Sequence, residues 1–130
     1  MPNAHPRLPV RFIRNLALDP THHPRAQPHL SAASGLVRVR QRWYVVADDE
    51  MHLGVFDDLS GPSADGSDMA PGRLIRLMEG NLPSDKSERK KAKPDLETLA
   101  YLPPLPGCPA GALLALGSGS KPQRETGVVV

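Results

Sequence analysis

Two groups of residues in this 130-residue chain have types and spacings that can do chemistry. The first is carboxylate-rich. Asp48, Asp49 and Glu50 are consecutive, and Asp95 and Glu97 sit two apart, so in an extended segment both point to one side. Ca²⁺ takes several oxygen ligands from carboxylates and carbonyls, so Asp48, Asp49, Asp95 and Glu97 are the candidate metal ligands. The second group follows Gly117. Ser118, Gly119 and Ser120 can curve their backbone amides into an anion-binding nest, and Lys121 and Arg124 add positive charge. Ser118, Ser120, Lys121 and Arg124 are therefore the candidate ligand-binding residues. The spacing is not that of a nucleotide P-loop, and no Gly-x-Ser-x-Gly nucleophile elbow is present. His5, His22, His23 and His29 fall in a proline-rich segment read as a linker, a poor frame for a metal.

The elements that must position these residues read as short strands. Leu36–Arg40 alternates apolar and charged residues, the period-2 signature of a half-buried strand. Trp43–Ala47 is continuously β-prone, which implies burial on both faces. Leu53–Phe56 and Arg73–Met78 read as two further strands. The Gly- and Ser-rich stretch 61–68 reads as a loop. The polar stretch 81–94 reads as a charged, solvated loop with one helical turn at Ser84–Lys91. The pattern then begins again: Thr98–Leu102, Ala112–Leu116 and Gly127–Val130 follow the order of the first three strands. Gly35 and Thr98 head equivalent strands at a spacing of 63 residues.

Self-similar units of about four short strands predict radial blades, so the fold class expected is all-β, a β-propeller with four-stranded antiparallel blades. Residues 1–33 are assigned to a closing strand (Val10–Leu18) and a Pro/His-rich linker. Residues 34–80 form blade 1, 81–94 the charged loop, and 95–130 a partial blade 2. About two blades do not close a ring, and the chain stops within an apolar strand, so it is expected to be the N-terminal fragment of a longer protein. A small self-contained β-sandwich is the architectural alternative. In blade geometry, the loops entering the first strand and leaving the second share one mouth of the channel. The two candidate groups would then converge on one rim.

Ser34-Gly35-Leu36 with Trp43–Asp49, and Lys93–Ala100 with Leu113–Ser120, resemble a family of uncharacterised bacterial propeller proteins. That family is distantly similar to the esterase-like phytase propellers. The resemblance implies a scaffold with a small-molecule or anionic ligand at the channel mouth, or alternatively a Ca²⁺-assisted phosphoesterase or esterase. Thr98 stands where most phytase-like propellers have glycine, a departure within the motif that would carry the calcium role.

Composition narrows the field. Fifteen prolines and 11 glycines exclude a long helical bundle. No apolar run reaches 18 residues, and residues 1–10 lack a signal-peptide apolar region, so a cytoplasmic protein without a membrane partner is expected. The single Cys108 cannot form an internal disulfide. The charge is blocked: +6 over residues 1–45, −7 over 46–70, +4 over 71–93 and −1 over 94–130. An acidic block between basic ones does not make the continuous basic face of a nucleic-acid binder.

Overall fold

The alternating and continuous apolar runs pair into two antiparallel meanders in the computed structural model, which describes residues 7–58 and 70–130. The first has the order β1 (Ala33–Val39), β2 (Arg42–Ala47), β3 (His52–Asp57), β4 (Arg73–Arg76). The second has the order β5 (Leu96–Leu102), β6 (Ala112–Gly117), β7 (Gly127–Val129). Arg40 and Gln41 connect β1 to β2, with Arg40 at φ 56° in the left-handed region that tight hairpins require. The loop read at 61–68 lies outside the described residues.

The recurrence seen in the sequence extends to backbone detail. Both meanders open with a register irregularity, between Ala33 and Gly35 in one and between Leu96 and Thr98 in the other. The residues it leaves over, Ser34 and Glu97, are 63 apart. The residues before each meander, Ala32 (φ 58°) and Asp95 (φ 56°), are also 63 apart, and both adopt left-handed backbone. In each unit the carbonyl of that residue accepts from an amide just past the second strand: Asp48 N–H to Ala32 O and Ser118 N–H to Asp95 O, both at 2.9 Å. A bulge at this point re-aims side chains at the strand end.

Alternation along β2 and β3 divides the core into two. Val46, Leu53 and Val55 face the second sheet and bury with Leu96, Leu113 and Ala115. Val45, Ala47 and Phe56 face the other way and bury against Leu18 and Leu30. The first sheet is thus covered on both faces, as the continuous run Trp43–Ala47 predicts. The sheets meet closely at Gly35: a β-carbon there would lie 2.9 Å from Val46 Cγ2 and 3.0 Å from the Leu99 backbone nitrogen.

Residues 10–18 lie outside the two sheets, and Leu18 makes a parallel bridge to Gly72. Pairing ends there because Asp19 caps a 3-10 turn over Pro20–His22. Upstream, Arg14 holds the segment through the carbonyls of Asp57 and Ala70 rather than through a strand ladder. Val10, Phe12 and Ile13 stay exposed. The 19–33 linker is also no free tether. It packs over the first sheet through Leu30 and the buried His23. In the 81–94 stretch, where the sequence predicts a helical turn at Ser84–Lys91, α1 (Lys86–Ala92) forms, and the Asp85 carboxylate caps its first turn by accepting from Glu88 N–H.

Gly35→Ala is expected to cost about 1–3 kcal/mol, because the added methyl must displace Val46 or the facing strand. A lowered urea midpoint with an unchanged m-value checks this; an unchanged midpoint would show that the two sheets are not held at this distance.

Candidate functional site

β2 ends at Ala47 and β5 begins at Leu96, and these two ends are neighbours because β1 and β5 pack together. The Ser34 hydroxyl fastens them by donating to the Leu96 carbonyl. Asp48, just past β2, therefore meets Asp95 and Glu97 at the start of β5. One carboxylate oxygen from each of the three lies within 4.8 Å of the others. Three of the four candidate metal ligands are thus brought together. The fourth, Asp49, points elsewhere.

Asp49 is held by cations. Lys93 Nζ lies 3.0 Å from its Oδ1, and Arg89 Nε 3.5 Å from its Oδ2. Lys93 also reaches Asp95 Oδ1 at 3.0 Å, so one ammonium bridges the two units. Asp95 is buried and heavily partnered, accepting from Ser118 Oγ at 2.7 Å and pairing with Arg124 at 3.4 Å. Burial alone would raise both carboxyls, but the hydrogen bonds and charges around them win. Lys93 and Arg89 hold Asp49 below the usual carboxylate range; Ser118, Lys93 and Arg124 do the same for Asp95. Lys93 is correspondingly raised, its two carboxylate bonds outweighing its burial.

The second candidate group also converges, in part, and the anion it surrounds is Asp95 itself. Ser120 Oγ accepts from Arg124 Nη1 at 2.9 Å and sits 3.0 Å from Ser118 Oγ. Arg124 is buried and gives a further hydrogen bond to the Lys90 carbonyl at the end of α1. Lys121 stands apart, exposed at the start of the 3-10 turn Pro122–Arg124.

Asp48 and Glu97 are less fully compensated, Lys93 offsetting only part of the rise at Glu97. Asp48 Oδ1 is buried with no hydrogen-bond partner among the described residues. Desolvation pushes the Glu97 carboxyl up, and the charges of Asp48 and then Asp95 add to it. These two carboxyls face each other as a repelling pair.

Glu50, grouped in the sequence with its acidic neighbours, does something different. Its side chain is buried, and Oε1 accepts from His23 Nε2 at 3.0 Å, Arg25 Nη2 at 3.1 Å and the Ser31 backbone N–H at 3.0 Å. His23 Nδ1 accepts from Arg25 N–H, which fixes the tautomer with the proton on Nε2. The neighbouring His52 is lowered, first by burial and then by Arg76. Sequence reasoning missed this cluster. Its one signal was a histidine and an arginine two residues apart in a segment otherwise read as a linker.

Two outcomes are expected. Glu50→Ala strands a buried histidine, arginine and backbone amide, and is expected to cost about 3–5 kcal/mol in chemical denaturation. Glu97→Gln is expected to do the opposite near neutral pH. A carboxyl raised by folding destabilises the native state when ionised, and this effect fades as pH falls through its folded value toward the ordinary range. The amide variant should therefore have the higher urea midpoint at pH 7, and the gap should shrink on acidification. A gap independent of pH would show that Glu97 is not under carboxylate repulsion.

No curated protein and no solved structure matches the chain. Residues 29–130 match a family of unknown function (DUF6929), and the chain belongs to that family.

Proposed function

We propose that the two meanders are successive blades of a β-propeller resembling the phytase-like propellers, and that the rim between them binds a hard divalent cation. The protein then acts as a binding scaffold, presenting a Ca²⁺-centred site to a small anionic ligand at the channel mouth. The observation that carries this reading is the approach of Asp48, Asp95 and Glu97 within 4.8 Å. Charge supports it. Lys93 and Arg124 neutralise Asp95, and Lys93 and Arg89 neutralise Asp49. Four carboxylates against these three cations leave a net negative charge concentrated on Asp48 and Glu97, which attracts a divalent ion. Ca²⁺ accepts irregular sets of six to eight oxygens, so a few carboxylates supplemented by carbonyls and water suffice. The propeller part of the reading draws on the repeated bulge, the repeated left-handed residue and the face-to-face contact of the sheets through their first strands.

A ligand that binds the native state alone raises its melting temperature. Ca²⁺ is expected to raise it by several degrees over sodium chloride of matched ionic strength. The double variant Asp48→Asn, Glu97→Gln is expected to abolish the rise, and Asp49→Asn to preserve it. No calcium-specific rise in the parent protein sinks the cation reading; a rise that survives the double variant assigns the ion to other residues.

A further inference from the structure

Beside Asp49, where Arg89 and Ser31 approach it, lies a concavity that neither candidate group includes. It is a cavity of about 180 Å³ lined by Arg25, Gln27 and Ser31 from the N-terminal segment and by Ser84 and Arg89 from the stretch that carries α1. Every lining side chain can donate a hydrogen bond, and none is acidic.

The two arginines are largely withdrawn from solvent, their side chains 7% and 14% exposed. Each guanidinium has five N–H donors. Arg25 gives one to Glu50. Arg89 gives its Nη1 protons to the carbonyls of Pro83 and Ser84. Arg89 Nε is buried and faces Asp49 at 3.5 Å, so it is spent on that ion pair. What the cavity is offered is the charge of the two guanidiniums and the N–H groups not given to Glu50, Asp49, Pro83 and Ser84. Of the acids behind the cavity, Glu50 Oε1 already takes three donors while its Oε2 is buried without a hydrogen bond, and Asp49 is shared with Lys93 and approached by Ser31 Oγ at 3.4 Å.

We propose that this cavity binds a small tetrahedral oxyanion, phosphate or sulfate, free or as the end group of a small molecule. Guanidinium groups pair strongly with such oxyanions. Two guanidiniums, two hydroxyls and an amide arriving from two separate segments can address the four corners of a tetrahedral ion better than the single plane of a carboxylate. Binding would tie the N-terminal segment to the α1 stretch across a junction that otherwise rests on Asp49 and its cations. The inference does not depend on the cation reading, so it is tested with EDTA present.

The probe is inorganic phosphate, with sodium chloride at matched ionic strength as reference and acetate as the planar competitor. Phosphate is expected to raise the melting temperature of the full chain, and acetate to leave it unchanged. Arg89→Gln is expected to weaken the phosphate response about tenfold, the worth of one charge-assisted hydrogen bond. Should that variant fail to fold, Gln27→Ala serves instead, since its amide makes only a long contact, 3.5 Å, to the Arg25 carbonyl. Lys121→Gln, in the other candidate group, is expected to respond like the parent protein. The proposal is overturned by a parent protein with no phosphate-specific rise, by an equal response to acetate, or by a response that survives Arg89→Gln and Gln27→Ala or disappears with Lys121→Gln.

Discussion

The buried carboxylate of Glu50 is the constraint on which the rest of the rim depends. A carboxylate removed from water must be compensated by charge and hydrogen bonds. Here the compensation comes from His23, Arg25 and the Ser31 amide, 19 to 27 residues earlier in the chain. Satisfying Glu50 Oε1 therefore folds the N-terminal segment back across the first sheet. That segment in turn delivers Leu18 and Leu30 to the outer apolar face of β2 and β3. One polar requirement thus closes one hydrophobic core. It also fixes the turn that follows β2, and with it the directions of Asp48 and Asp49.

From that fixed turn the charges spread in two directions. Asp49 points toward Arg89 and Lys93, one helical turn apart at the end of α1, so a seven-residue helix with no buried residue is anchored by these ion pairs together with the hydrogen bonds of Gln123 and Arg124 to its last carbonyls. Asp48 points toward Asp95 and Glu97, where positive charge runs short. The blocked charge of the sequence is explained by this arrangement. The acids at 48–50 sit between arginines of the first basic block and the Arg89 and Lys93 of the second. The blocks serve closure of the chain on itself, and the patterning that argued against a continuous basic face is the signature of an internal junction.

The strands were legible because their signals are local. Alternation in Leu36–Arg40, the continuous run at Trp43–Ala47 and the recurrence 63 residues later correspond to β1, β2 and the second meander. The convergence of Asp48 with Asp95 and Glu97 was legible because the repeat puts them at equivalent ends of neighbouring units. What stayed hidden is long-range and polar. Asp48-Asp49-Glu50 reads as a solvated turn, and nothing local separates the buried Glu50 from its neighbours. The run Val10–Leu18 has the composition of a strand, but among the described residues it pairs through the Leu18 bridge to Gly72, and composition does not encode which edge a strand meets. Arg89 and Lys93, four residues apart on one helical face, were a readable hint that the charged stretch docks on an acid.

The shared position of Asp49 has a mechanical consequence. It lies between a carboxylate group short of positive charge and a cavity lined by hydrogen-bond donors, and its partners belong to both sides. Lys93 divides its charge between Asp49 and Asp95. A cation drawn to Asp48, Asp95 and Glu97 competes with Lys93 for Asp95 and leaves the ammonium more fully to Asp49. Asp49 then holds Arg89 less tightly, which frees that guanidinium for an oxyanion. An anion drawn to Arg89 would shift the same balance in the same direction, releasing Asp49 to Lys93 and uncovering Asp95. The two proposed occupancies would then favour each other through a single carboxylate. By linkage, each ion would strengthen the binding of the other by the same factor.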